Sequence, residues 1–180
     1  VERCIQHLKA GKAQNVGGIW RIEPGDVTLI ARAISIAASH PLGVGRAQYR
    51  NPNTKADYVD TVSFGSYRKK DLLKIGCYDE TLLSNEDYEL NTRILEHGGK
   101  VFLDPEIQCT YFSRKTYREL AKQYYRYGFW KFKMLKKFPK SLRMRQLLPP
   151  LLVFVMFFLL LLSIFIPTFF MLFLSLVLIY

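Results

Sequence analysis

The sequence predicts an α/β domain followed by a basic segment and an apolar segment. Strand and helix patterns alternate up to about residue 112, and residues 113–146 hold 12 of the 26 Lys and Arg but a single acid. Residues 147–180 carry no charge, and the rest of the chain is balanced, with 14 basic and 14 acidic residues. We therefore predict three parts, residues 1–112, 113–146 and 147–180. This composition excludes an intrinsically disordered chain.

The elements of the first part follow from local patterns. Apolar residues at helical spacing and strand-like runs alternate, which predicts a sheet between helical layers. Gly76 stops one predicted helix, and Gly98-Gly99 closes another, which Ser84 or Asn85 can cap. The predicted elements are a helix at 2–10, a strand after a glycine turn at 15–23, a helix at 26–39, a loop at 40–56, a strand at 60–67, helices at 69–75 and 84–97, and a strand at 100–103 ended by a turn at 104–105.

Cysteine and histidine usage argues against disulfides and metal ligation. The three cysteines and three histidines are scattered, and no Cys-x-x-Cys spacing occurs. An odd, dispersed set of cysteines is typical of a reducing compartment.

The basic segment predicts an amphipathic helix at 116–138. Gln123, Arg126, Tyr127 and Trp130 would share one face at i, i+3, i+4 and i+7. An arginine fork binds phosphate oxygens, and an aromatic ring can stack on a sugar or base. By composition alone, an interfacial helix with Tyr and Trp at headgroup depth is favoured. Because an apolar segment follows directly, anionic membrane lipids are expected as partners rather than nucleic acid.

The apolar segment predicts membrane-spanning helices. A span needs about 20 apolar residues, so we predict one at 150–166 and a second that the sequence truncates. A single tilted helix kinked at Pro167 is the alternative. Positive charges before the first span predict that the globular part faces the cytoplasm at the cell (inner) membrane.

Carboxylates at the start of the helix at 84–97 have two interpretations. Glu86 and Asp87 can satisfy free backbone N–H groups and the helix dipole, which spacing alone favours. Alternatively, Asp87 projects into a cleft as a general base. Gly17-Gly18 is by itself typical of a turn.

Three features in this order resemble one family. VDTVSFGSYRKKDLLKIGCYDETLLSNEDYELNTRILEHGGKVFLDP, then QYYRYGFWK and the apolar run, resemble the second half of a processive-type family 2 glycosyltransferase, especially bacterial succinoglycan-biosynthesis-like enzymes related to cellulose and hyaluronan synthases. The match covers residues 15–150. It implies the C-terminal half of a GT-A nucleotide-diphospho-sugar transferase sandwich.

The resemblance implies roles for particular residues. Glu86-Asp87 corresponds to the family's ED pair, with Asp87 as catalytic base. Gln123, Arg126 and Tyr127 fall on its Q-x-x-R-W motif, which holds the sugar diphosphate and the acceptor. Tyr127 replaces the tryptophan of that motif, which weakens the case for a processive polymer.

Two further segments match less specifically. Gly17-Gly18 resembles the VGG that follows the metal-binding Asp-x-Asp strand. Arg68 lies in GSYRK, beside the cleft. The Asp-x-Asp itself is expected upstream of Val1, so Mg²⁺ or Mn²⁺ would be held mainly outside this sequence. The sequence alone is then expected to be inactive, and residues 58–60 and 85–87 do not replace the missing motif.

The implied activity is inverting transfer of a sugar from a nucleotide-sugar donor to a glycan or lipid-linked acceptor in cell-surface polysaccharide biosynthesis, at the cytoplasmic membrane face. One alternative is a polyprenyl-phosphate monoglycosyltransferase. Another is a non-enzymatic membrane-docking protein with a basic amphipathic helix.

Overall fold

The computed structural model describes residues 1–40, 47–142 and 146–179. They divide into two compact units, Val1–Ser141 and Leu142–Tyr180, and each unit is described by itself. The three predicted parts stay a prediction. The first unit contains, in chain order, α1 Glu2–Lys9, β1 Asn15–Glu23, α2 Leu29–Ser39, a 3₁₀ turn Gln48–Arg50, β2 Asp57–Tyr58, β3 Ser63–Tyr67, α3 Lys69–Ile75, α4 Glu86–Glu96, β4 Val101–Phe112, α5 Tyr117–Lys137 and a 3₁₀ turn Pro139–Ser141.

The first unit is built on a four-stranded mixed sheet in the order β2-β4-β1-β3. Strand β1 runs parallel to β4 and antiparallel to β3, and β2 is antiparallel to β4. Successive residues of β4 face opposite sides. Phe102 belongs to a buried cluster with Leu8 of α1, whereas Leu103 packs in a cluster with Leu90 and Ile94 of α4. The sheet therefore lies between helices, and the predicted α/β class is confirmed.

The two glycines of β1 lie inside the strand, which corrects the predicted turn before it. A Cβ on Gly18 would stand 1.7 Å from the backbone oxygen of Ile107, so only glycine fits there. The close approach occurs where the ladder is irregular, because β4 passes from Leu103 to Gln108 while β1 advances by two residues.

That irregularity contains the predicted turn at Asp104-Pro105. The strand does not end there but continues to Phe112, so the predicted end of the strand at residue 103 is wrong. Proline cannot donate to the ladder, which accounts for a bulge at this position. The buried Asp104 carboxylate accepts from Arg3 Nε at 3.0 Å and lies 2.7 Å from His7 Nε2, and these contacts fix α1 to the bulge.

The helix predictions hold where capping signals are local. Helix α3 has the predicted bounds and ends at Gly76, whose φ is 95°. Helix α2 begins three residues later than predicted because Thr28 caps it, accepting from the Ala31 N–H at 3.2 Å. The predicted strand at 60–67 is shorter, since β3 begins at Ser63. Residues 41–46 of the predicted loop lie outside the described residues.

The start of α4 differs from the prediction. Asn85 precedes the helix in a left-handed conformation, with φ of 66°, and its side chain makes no capping hydrogen bond. Its backbone carbonyl instead accepts from the Glu89 N–H at 2.9 Å. Asn85 is therefore the residue that precedes the helix, but it does not act as the predicted side-chain cap.

The second unit contains two apolar helices, α6 Leu148–Leu162 and α7 Thr168–Ile179. A turn before Pro167 separates them, as the proline predicts. The helices hold 15 and 12 residues, fewer than the roughly 20 that a span requires. Within the described parts of the chain, no helix is long and apolar enough to cross a membrane, so the predicted spanning helices are not found there.

Candidate active site

Asp87 lies in the first turn of α4, with its side chain exposed to solvent. Its Oδ1 accepts a hydrogen bond from the Tyr88 backbone N–H at 2.7 Å. This bond is the helix-end role that spacing alone favours. The exposed side chain leaves room for a second partner, which a general base also requires.

The pKa of the Asp87 carboxyl is raised above its ordinary value. Although the side chain keeps an exposed face, crowding by protein atoms removes water from the carboxyl, and this desolvation is the largest cause. The charge of Glu86 also raises the pKa, whereas the Tyr88 N–H bond and the charge of Lys131 lower it. A carboxylate of raised pKa is a stronger proton acceptor than an ordinary aspartate.

Lys131 brings helix α5 beside this carboxylate. Its Nζ lies 4.0 Å from the centre of the Tyr88 ring, a cation–π contact, and its charge acts on Asp87. Farther along α5, the buried Met134 packs in a cluster with Leu82 and Tyr88. Helix α5 is thus fixed against the start of α4 by apolar packing as well as by charge.

A buried polar network supports the site from the sheet side. Asn15 of β1 donates to Asn91 Oδ1 at 2.6 Å and to the Tyr67 hydroxyl at 3.0 Å. Asn91 in turn donates to Thr61 Oγ1 at 3.0 Å. Burial is the largest cause that raises the pKa of Tyr67, and the nearby charge of Asp87 adds to it. Tyr67 therefore stays a neutral phenol near the Asp87 carboxylate.

A second cluster forms around Gln123. Its Nε2 donates to the Tyr127 hydroxyl at 2.7 Å and to the Tyr111 hydroxyl at 2.9 Å, and its Oε1 accepts from Arg114 Nε at 3.1 Å. Gln123, Tyr127 and Lys131 follow one another at i, i+4 and i+8 and so share a face of α5. At 1.5 Å per residue, about 12 Å of helix joins this cluster to the neighbourhood of Asp87.

Aromatic rings and an arginine lie next to Gln123. Trp20 of β1 stacks on Tyr111, with ring centroids 4.3 Å apart and planes at 8°. The Arg50 guanidinium lies 4.7 Å from the Trp20 ring centre. Arg50, Tyr111, Gln123 and Tyr127 line a common pocket. Burial is the largest cause that raises the pKa of Tyr127, and the charge of Arg50 opposes it.

The other predicted site residues lie elsewhere or have local partners. Arg126 is exposed on α5 and does not line this pocket. Arg68 donates from Nε to Asp71 at 2.6 Å, an ion pair across one helical turn. Gly17 and Gly18 lie within β1. The roles predicted for Arg126, Arg68, Gly17-Gly18 and Glu86 stay predictions.

The sequence prediction missed two arginines and a lysine at the site. Arg50 is the last residue of the 3₁₀ turn Gln48–Arg50, and Arg114 lies two residues beyond the end of β4. Lys131 was one of many cations in the basic segment. Only Lys131 had a local signal, since it follows Gln123 and Tyr127 at helical spacing. Arg50 comes next to Gln123 only when the chain folds, and no local sequence pattern indicates it.

The residues described here do not fit a divalent metal site. Over residues 1–40, 47–142 and 146–179, no three His, Cys, Asp or Glu side chains gather as possible ligands. The expected Mg²⁺ or Mn²⁺ therefore stays a prediction, and no step below depends on it.

Comparison with known proteins gives two relatives. Over 127 residues, the chain is 26% identical to the dolichyl N-acetyl-alpha-D-glucosaminyl phosphate 3-beta-D-2,3-diacetamido-2,3-dideoxy-beta-D-glucuronosyltransferase of Methanococcus voltae, covering 70% of this chain and 38% of the relative. Over 148 residues, it is 24% identical to succinoglycan biosynthesis protein ExoA of Rhizobium meliloti (strain 1021), covering 82% of this chain and 44% of the relative. The chain thus spans less than half the length of either curated relative.

No family model matches the chain. No solved structure matches it either. The two relatives nevertheless cover most of the chain. The resemblance seen in the motifs is therefore confirmed: the chain is a distant relative of a glycosyltransferase and of a succinoglycan biosynthesis protein.

Proposed function

We propose that the protein transfers a sugar from a nucleotide-sugar donor to a glycan or lipid-linked acceptor during cell-surface polysaccharide biosynthesis. The observation that carries the proposal is Asp87, an exposed carboxylate of raised pKa at a helix start, with Lys131 nearby. The mixed sheet flanked by helices fits half of a GT-A sandwich, as the resemblance implies. The relative named as a glycosyltransferase supports the reaction class.

The proposed reaction proceeds with inversion at the anomeric carbon. Asp87 takes the proton of the acceptor hydroxyl while that oxygen forms a bond to the anomeric carbon. The bond from this carbon to the donor diphosphate breaks, and the diphosphate leaves with the bonding electrons. The resemblance implies that a divalent ion held mainly by residues outside this sequence would supply positive charge for the leaving diphosphate. Arg126, as the resemblance implies, would add hydrogen bonds to it.

The acceptor class is supported by the names of the relatives. The Methanococcus voltae protein is named for transfer to a sugar phosphate on dolichol, and the Rhizobium meliloti protein for succinoglycan biosynthesis. Both names fit a growing glycan more directly than a bare polyprenyl phosphate. We therefore favour a lipid-linked glycan as acceptor, with the monoglycosyl transferase reaction as the alternative.

The pH dependence of transfer tests the role of Asp87. A base must be ionised, so kcat/KM should fall on the acid side, with an apparent pKa above the ordinary aspartate value of 3.8. Lys131 lowers the pKa of Asp87, so Lys131→Gln should move this acid limb to higher pH. The measurement is kcat/KM against pH for the intact protein with a nucleotide-sugar donor and a lipid-linked acceptor.

Lys133→Gln is the matched control, because Lys133 lies two residues farther on α5 and contacts the Phe129 and Trp130 rings. It should leave the acid limb unchanged. An acid limb that Lys131→Gln leaves in place, or moves to lower pH, contradicts the assignment of Asp87 as base.

We further propose that catalysis takes place at the cytoplasmic face of the cell membrane and that anionic lipids bind helix α5. Five turns of this helix carry one exposed stripe, opposite the face of Gln123. It combines cations with large exposed side chains such as Tyr125, 78% exposed. The stripe consists of Arg118, Lys122, Tyr125, Phe129, Lys133 and Lys136. Such a face is suited to an anionic membrane surface.

Vesicle flotation tests this placement. Each cation contributes about 1 kcal/mol near an anionic surface, so replacing Lys122, Lys133 and Lys136 together by Gln should reduce binding to phosphatidylglycerol vesicles by about 100-fold. The control replaces the exposed Lys55, Lys69 and Lys70 by Gln, which removes the same charge elsewhere. Equal losses in both triple variants would contradict a specific role for α5.

A further inference from the structure

A small pocket next to Gln123 carries positive charge without a balancing carboxylate. Arg50 and Arg114 both line it. The remaining described lining residues carry no charge. Two cations converging on a site without an acid favour an anionic ligand.

Polar atoms at this pocket are buried without a hydrogen-bond partner. Among the described residues, Arg50 Nε and Ser113 Oγ have neither solvent contact nor a partner. The same holds for Nε1 of Trp20, which does not itself line the pocket. Trp20 lies beneath the Arg50 guanidinium. Unsatisfied buried donors are uncommon in folded proteins, and each is costly to leave unpaired. Arg50 and Ser113 both line the pocket, so their unpaired atoms indicate that a group which accepts hydrogen bonds belongs there.

We propose that Arg50, Arg114 and Ser113 form a binding site for a phosphate group. Phosphate oxygens accept several hydrogen bonds at once and match the planar fork of an arginine. The cation–π contact holds the Arg50 guanidinium over Trp20 and so fixes the direction of its donors. Arg114 is exposed, so its guanidinium can turn toward a ligand by giving up its hydrogen bond to Gln123 Oε1.

The cavity volume sets a requirement on binding. It is about 20 Å³, room for about one water molecule. A phosphate group is larger, so lining side chains must move when the ligand enters, and we propose that the exposed Arg114 side chain, which bonds Gln123, is the one that does. Such rotamer changes are common on binding. Phosphate binding at this site therefore breaks the Arg114–Gln123 hydrogen bond.

Two sources could supply the phosphate, and this step rests on the proposed function. One is the diphosphate of the nucleotide-sugar donor, and the other is the phosphate that links an acceptor to its lipid. Both are phosphate esters, so the pocket chemistry is the same. The binding experiment separates the two.

Calorimetric titration of the intact protein tests the site. The probes are inorganic diphosphate, a panel of nucleoside diphosphates, and a polyprenyl phosphate in detergent micelles. Arg50→Gln should weaken binding of at least one probe by about 10-fold or more, the size of a lost charge-assisted hydrogen bond. Arg50→Lys keeps the charge over Trp20 but loses the fork, so it should fold normally and bind with intermediate affinity.

Arg21→Gln is the matched control, an exposed arginine on β1 outside both the pocket and the α5 stripe, and it should bind every probe as the unchanged protein does. Loss confined to the diphosphates assigns the site to the donor, and loss confined to the polyprenyl phosphate assigns it to the acceptor. Unchanged affinities in folded Arg50→Lys and Arg114→Gln overturn the proposal. Probe binding that depends on Arg50 in a protein without transfer activity supports the site and contradicts only the proposed function.

Discussion

Asp87→Asn is expected to reduce the rate of sugar transfer to a small fraction of that of the unchanged protein, while donor binding stays nearly unchanged. The amide keeps the size of the side chain and can still accept from the Tyr88 N–H, so the start of α4 should be preserved. It cannot take the acceptor proton. General-base assistance is worth about 10²–10⁴-fold in rate, so a loss of that order is expected in kcat. The measurement is a single-turnover rate with saturating donor and acceptor.

Glu96→Gln provides the control, because it removes an exposed carboxylate at the other end of the same helix. It should transfer at the rate of the unchanged protein. Glu86→Gln separates the two carboxylates of the predicted pair: it removes a charge that raises the pKa of Asp87, so it should move the acid limb to lower pH and lower the rate less than Asp87→Asn. An Asp87→Asn protein that retains more than about a tenth of the rate is incompatible with a general base.

The parts of the fold that local signals specify were predictable from sequence. Helix α3 ends at Gly76 as predicted, because the backbone there adopts a left-handed conformation, which glycine adopts more easily than other residues. Helix α5 begins after Thr116, whose side chain caps the helix. Both signals lie within a few residues of the element that they end or begin.

Features that depend on distant contacts were not predictable. Strand β4 continues past Pro105 because its bulge is held by α1, a hundred residues earlier in the chain, through Arg3 and Asp104. Gly18 has to be glycine because the Ile107 backbone approaches it. No pattern within β1 or β4 alone contains either fact.

The candidate site also contains residues that local sequence patterns predict and residues that only distant contacts bring in. Gln123 and Tyr127 were predicted to share a helix face, and their side chains do bond each other. Arg126 was placed on that face too, but at 100° per residue it lies toward the exposed side. The pocket takes its cations from Arg50 and Arg114 instead. Helical periodicity identifies residues on one helix, whereas Arg50 of a 3₁₀ turn and Arg114, just beyond β4, join them only after folding.

The buried ion pair of Glu89 and Arg93 has the largest expected effect on stability. Glu89 is 0% exposed, and its oxygens accept from Arg93 Nε at 2.5 Å and from Arg93 Nη2 at 2.8 Å. Arg93 also donates to the carbonyls of Ile75 and Cys77, where the chain leaves α3 with φ of 59° at Cys77. The pair therefore ties α4 to an unusual turn.

Glu89→Gln should lower the free energy of unfolding by about 3–5 kcal/mol, because removing one partner leaves a charge without its counter-ion. Urea denaturation of the intact protein at neutral pH measures this loss. Glu23→Gln is the control: it breaks the Arg21–Glu23 pair, which spans 3.8 Å with both side chains exposed, and should cost less than about 1 kcal/mol. If the two substitutions cost the same, Glu89 does not hold the turn through Arg93. If only Glu89→Gln is costly, then the start of α4 around Asp87 and the turn after α3 both depend on one charged pair inside α4. The stability of every variant in this helix must therefore be measured before a loss of transfer activity is attributed to the catalytic step.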